Sequence, residues 1–102
     1  MDFKVNLSPV AIGDLEAIVA YIAKGNPDAA FKFGDALLTR TFRLASMPGM
    51  GRIFCTRKGR AIREWVFNLY WIFYTVYPDS KLIEIRRIWH GARGEPKLTD
   101  EG

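Results

Sequence analysis

The chain has 102 residues, 49% hydrophobic and 25% charged, with a net charge of +4 and an isoelectric point near 9.5. That length supports one domain with a single two-layer core and excludes two, and the hydrophobic content excludes a disordered chain. No apolar run approaches the roughly 20 residues that span a bilayer, the opening MDFKVNLSP has no apolar stretch of a secretory signal, and the lone Cys55 gives neither a disulfide framework nor a metal cluster, so a cytoplasmic protein with no membrane contact is expected.

In chain order, Phe3, Val5 and Leu7 alternate with Lys4 and Asn6, the period of a half-buried strand. Ser8-Pro9 marks a helix start, serine as the cap and proline in the first turn. Ala11, Leu15, Ile18 and Ile22 then form one apolar face, widened by Ile12 and Val19, with Asp14, Tyr21 and Lys24 opposite. Gly25 is read as a left-handed C-terminal cap. Asn26-Pro27 restarts a helix running to about residue 45, with Ala30, Phe31, Gly34, Leu37, Leu38, Phe42 and Ala45 as its apolar face. The minimal joint predicts an antiparallel helical hairpin.

Met47-Pro48-Gly49-Met50-Gly51 ends the helix, and residues 52–60 read as a loop or an irregular strand. The stretch 61–93 reads as a three-stranded meander: residues 62–67, a turn at Asn68-Leu69, residues 70–77, a turn at Pro78-Asp79-Ser80, and residues 81–90. Both faces of 70–77 are apolar, which predicts a central strand. The expected order is β-α-α-β-β-β, an α+β two-layer fold with a helical hairpin on a mostly antiparallel sheet. It spans a single domain over residues 1–93, with a polar tail over 94–102.

The positive charge is unevenly placed. Residues 1–50 balance, whereas residues 51–93 hold nine basic and three acidic side chains, as a half that meets an anionic partner would. Arg60 and Arg63 enter one strand, Arg86 and Arg87 lie late in another, and His90 and Arg93 follow. With Arg52 they could converge at one end of the sheet and bind phosphates or carboxylates. Strict alternation puts Arg87 on the same face as Ile83 and Ile85, so either a bulge re-aims it, that end of the sheet is open, or it is a core-edge arginine paired with an acid. His90 is the one side chain with an ordinary pKa near neutrality, and it can equally cap the turn at Gly91. There is no nucleophile elbow, glycine-rich phosphate loop or metal-ligand cluster. A carboxylate role could fall only to Glu64 or Glu84.

Taken in series, Ser8-Pro9, Asn26-Pro27, Met47-Pro48 with Gly51-Arg52, Ile62-Arg63, Tyr70 with Ile72-Phe73-Tyr74, and Glu84-Ile85 with Arg87 and His90-Gly91-Ala92-Arg93 resemble the RelE/ParE superfamily of type II toxin–antitoxin toxins, and its ParE-like branch most. Thr75 and Gly94 depart from the arginine and the acid that many relatives carry there. The resemblance implies a toxin of a plasmid-stabilisation type module that inhibits DNA gyrase, needs no cofactor or metal, and is neutralised by a cognate ParD-like antitoxin in a hetero-oligomer, through which alone DNA is contacted. A basic target-binding set of Arg52, Arg60, Arg63, Arg86, Arg87, His90 and Arg93 and an antitoxin-binding set of Tyr21, Tyr70, Trp71 and Phe73 are expected. Two alternatives stay open: a RelE-like ribosome-dependent ribonuclease using Arg87, His90 and Glu64, and a degenerate toxin that only binds its antitoxin.

Overall fold

A computed structural model describes residues 2–94; the tail expected from residue 94 onward lies, apart from Gly94, outside the described residues. Strand β1 (Lys4–Leu7) leads into helix α1 (Pro9–Gly25), α2 (Pro27–Phe42) and a 3-10 turn at Arg43–Ala45. Four strands follow, β2 (Arg52–Arg57), β3 (Arg60–Phe67), β4 (Tyr70–Tyr77) and β5 (Leu82–His90), then a 3-10 turn at Gly91–Arg93. The sheet order is β1-β5-β4-β3-β2, with β1 parallel to β5 and the other pairs antiparallel. The expected two-layer α+β architecture is present, with the segment over 52–60 supplying a fourth strand to the meander.

Both helix starts are where the Ser-Pro and Asn-Pro pairs put them. The Ser8 hydroxyl accepts from Ala11 N–H at 3.1 Å and donates to Arg86 O at 3.1 Å, so one side chain both caps α1 and ties it to β5. Gly25 does not take the left-handed conformation; it is the last residue of α1, and Asn26 in extended backbone serves both helices. Its N–H donates to Ile22 O and its Oδ1 accepts from Ala29 N–H. A side-chain cap that also begins the next helix leaves no need for glycine here.

The buried face of α2 is rotated from the one expected. Ala30, Leu37 and Thr41 are buried, and Phe33 packs on the core, whereas Phe31 is 76% and Phe42 49% exposed. Thr41 can go inside because its hydroxyl donates to Leu37 O at 2.7 Å, which removes the cost of burying it. The helix-side core joins Ala11, Leu37 and Leu44 to Ile72, Tyr74, Ile83, Ile85 and Ile88. A smaller apolar cluster occupies the opposite face of the sheet: Ile62 and Phe73, with Phe54, Cys55, Trp71 and Trp89.

A bulge in β5 resolves the parity of Arg87. Ile85 pairs with Tyr74 and Arg87 with Phe73, which leaves Arg86 as the additional residue. Ile83 and Ile85 face the helices before it and Ile88 after it, while Arg86 and Arg87 both lie on the opposite face.

Candidate functional site

Seven of the basic side chains from residue 52 onward fall into two groups. Arg60 sits over Tyr77 with its guanidinium 4.6 Å from the ring centroid, and Tyr77 pairs with Leu82 at the start of β5. His90 pairs with Tyr70 at the other end of β4, seven residues away, or roughly 23 Å along the strand. Arg57, Lys58, Arg60 and Arg86 line one cavity near the β2–β3 hairpin. Arg87, His90 and Arg93 gather at the far end of β5 instead.

Arg52 and Arg63 are engaged locally. Arg52 Nε donates to Glu64 Oε1 at 2.6 Å, with Glu64 6% exposed, and Arg63 Nη1 donates to Gly51 O at 2.6 Å. Gly51 N–H in turn donates to the Tyr74 hydroxyl, which donates to Pro48 O, both at 2.8 Å. These bonds fix the crossover from α2 into β2. Burial is the main reason the Tyr74 phenol is held above its ordinary pKa, outweighing Gly51 N–H and Arg63, which lower it.

At the far end, Arg87 makes a two-pronged pair with Asp14 on α1, Nε to Oδ2 at 2.9 Å and Nη2 to Oδ1 at 2.8 Å. Asp14 Oδ2 also accepts from Ile88 N–H at 3.0 Å. Strand β1 ends at Leu7 opposite Ile85, so beyond it the edge of β5 is satisfied by Ser8 and Asp14 side chains. The Asp14 hydrogen bonds raise the Arg87 pKa further against its partial burial, and the guanidinium is permanently charged. Arg87 and Arg93 stack over Trp89, 4.7 and 4.1 Å from the ring centroid. His90 Nδ1 accepts from Ala92 N–H at 3.1 Å and caps the turn at Gly91, and its ring lies edge-on to Tyr70 at 5.0 Å.

A groove runs between α1 and this end of the sheet. One part, of about 420 Å³, lies between Ile18 and Tyr21 on α1 and Tyr70, Ile88 and His90 on the sheet. The adjoining part, about 600 Å³, is lined by Ile22, Phe33, Asn68, Leu69 and Tyr70. Tyr21 is 76% and Leu69 67% exposed. Of the aromatics expected to meet a partner, Tyr21 and Tyr70 line the groove and Trp71 is half-buried on the opposite face. Phe73 is fully buried and presents no surface.

The family model described as "ParE toxin of type II toxin-antitoxin system, parDE" matches residues 5–94. The chain belongs to the ParE toxin family. Among solved structures it is similar to the chromosomal ParDE system of P. aeruginosa, at 21% identity and a TM-score of 0.70 over 86% of this chain and 95% of that one. It is also similar to the RelBE2 toxin–antitoxin complex of Mycobacterium tuberculosis, at 18% identity and 0.65 over 88% and 92%. These likenesses establish a shared fold. No curated protein matches the chain in sequence.

Sequence reasoning missed Asp14, which reads as an outward acid near a helix start but ties Arg87 and the β5 edge. It also missed Trp89 as the platform for two arginines. The i, i+2 spacing of Arg87 and Trp89 on one strand face signals that contact; nothing local signals Asp14, 73 residues from Arg87. Among the described residues no group of His, Cys, Asp and Glu could hold a metal, and no helix is long and apolar enough to cross a membrane.

Proposed function

We propose that this ParE-family toxin inhibits DNA gyrase and is neutralised by a cognate antitoxin whose disordered segment folds into the groove between α1 and the far end of the sheet. The observation that carries the reading is the family match, which spans residues 5–94 and so nearly the whole chain. The groove supports the antitoxin part: it is apolar at Ile18, Ile22, Phe33 and Tyr70, and it carries Arg93 and His90 at one end. A segment mixing apolar anchors with acids complements it.

The groups that a ribonuclease would use are held by structural partners. Arg87 is clamped by Asp14, His90 Nδ1 is occupied by Ala92 N–H, and the buried Glu64 accepts from Arg52. Each arrangement favours a rigid binding surface over proton transfer.

Purified protein incubated with gyrase, ATP and supercoiled plasmid is expected to accumulate the enzyme–DNA cleavage complex or block supercoiling, and the antitoxin to reverse it. No effect on gyrase at stoichiometric excess, combined with cleavage of ribosome-bound mRNA that Arg87→Ala abolishes, would overturn the gyrase reading.

A further inference from the structure

Helix α2 is apolar on two sides. Leu37 lies in the core, Phe33 meets Phe67 and Arg40 sits over Trp65, which fixes the side turned to the sheet. Gly34 turns toward α1, where a Cβ would come within 3.3 Å of Val19 Cγ2. Phe31, Asp35, Leu38 and Phe42 follow on the next sector of the helix, facing away from the sheet. Ile12, Glu16, Val19 and Ala23 make the matching row on α1. Phe31, Phe42 and Ile12 are 76%, 49% and 46% exposed. Single exposed apolar side chains are ordinary, but these share one strip along the outer seam of the hairpin, and a shared strip marks an interaction surface.

Three observations say what covers it. The first is charge. Residues 1–50 carry five basic and five acidic side chains, so this half offers a nucleic acid or an acidic peptide no net attraction, and offers a second copy no net repulsion. The second is symmetry. Residues 31, 35, 38 and 42 are spaced four, three and four, which reads the same in both directions. A two-fold axis midway between positions 36 and 37 sets Phe31 of one copy against Phe42 of the other, twice, with Leu38 beside Asp35 between them. The same axis brings Asp28, in the first turn of α2, level with Arg43 at its far end in the other copy. The third is size. A hairpin whose α2 has 16 residues offers a face about 24 Å long and about 20 Å wide, or about 1,000 Å² from two copies together, the scale of a weak reversible dimer.

We propose that the outer face of the helical hairpin is a homodimer interface, in which two copies pack α2 against α2 in antiparallel fashion about a two-fold axis. The inference does not rest on the gyrase reading, and the groove between α1 and the sheet stays open in the dimer.

The test is sedimentation velocity and equilibrium of the purified full chain up to about 500 µM, with a dissociation constant expected in the micromolar range. Phe31→Ser with Phe42→Ser changes two exposed side chains and should weaken association at least tenfold with the melting temperature little changed. Asp28→Lys and Arg43→Glu should each weaken it several-fold, and the two together should restore it, because every copy then carries the reversed pair. A monomer over the whole range, or a dimer that the double phenylalanine variant leaves unchanged, overturns the proposal. Failure of the paired charge reversal to restore association overturns the antiparallel two-fold arrangement. A monomeric wild type whose antitoxin affinity falls in the phenylalanine variant also overturns it and assigns the face to the antitoxin. The gyrase assay is read separately on the same preparation, so either reading can fail without the other.

Discussion

Asp14 holds three donors with one carboxylate: two from Arg87 and one from Ile88 N–H. Its side chain is 13% and that of Arg87 20% exposed, so solvent does little to replace these bonds. Removing the acid leaves a half-buried guanidinium and an edge amide without an acceptor. Asp14→Ala is expected to lower stability by about 2–3 kcal/mol, read as a shift in the urea midpoint with an unchanged slope; a loss within 0.5 kcal/mol would mean that water substitutes for the carboxylate. Tyr74 makes a different prediction. Its folded pKa lies above the ordinary 10.0, so the folded state binds the phenol proton more tightly than the unfolded chain does. Its contribution is complete below about pH 10 and falls as pH rises through the folded value. Urea midpoints measured from pH 8 to 11.5 should decline above about pH 10, and less steeply in Tyr74→Phe, whose lower starting stability reflects the lost bonds to Gly51 and Pro48.

At the scale of elements, the sheet depends on how tightly the loop after α2 closes on it. A Cβ on Gly51 would lie 2.6 Å from Glu64 O and 2.8 Å from the Tyr74 hydroxyl. The first of these is backbone in β3 and cannot move aside. Gly51→Ala is therefore expected to cost about 1–3 kcal/mol and to loosen β2, seen as faster amide exchange across Arg52–Arg57; unchanged exchange would show that the crossover has slack. Helix starts, the hairpin and the meander were legible because they rest on local chemistry: Ser8-Pro9 and Asn26-Pro27 announce themselves, alternation marks β1, and an aromatic and β-branched run apolar on both faces marks β4. What escaped depends on partners distant in the chain. The face of α2 was misread because a threonine satisfied within its own helix counts as polar in a periodicity scan, while Phe31 counts as core yet lies exposed. Strand β2 was ambiguous because four of its six residues are exposed and Phe54 forms a bulge between the Ile53 and Cys55 pairs, so no clean alternation survives. The candidate site was half legible: the arginines were found, but their division between two ends of the sheet follows from strand register, which the sequence leaves open.

For the whole molecule, the two faces of the sheet carry different chemistry. The helix side and its groove end in apolar and aromatic surface at Tyr21, Leu69 and Tyr70; the opposite face carries Arg57, Lys58, Arg60 and Arg86. Under the proposed function, the antitoxin takes the first of these surfaces and leaves the second open to the target. Tyr21→Ser with Leu69→Ser changes two exposed side chains, so stability should stay within about 0.5 kcal/mol. Antitoxin affinity is expected to fall at least tenfold, measured by calorimetry, with gyrase inhibition retained. Equal loss of both would show that one surface serves both partners.

The β5 bulge has a counter-intuitive consequence. Removing a residue from a strand ordinarily inverts everything downstream of it. Here the pairs on either side, Ile85 with Tyr74 and Arg87 with Phe73, already succeed one another without the intervening position. A chain lacking Arg86 would keep Ile88 inward and Trp89 outward, its ladder simply becoming regular. The ladder closes without that position, but the carbonyl it offers to the Ser8 hydroxyl at 3.1 Å, and with it one tie between α1 and β5, would be lost.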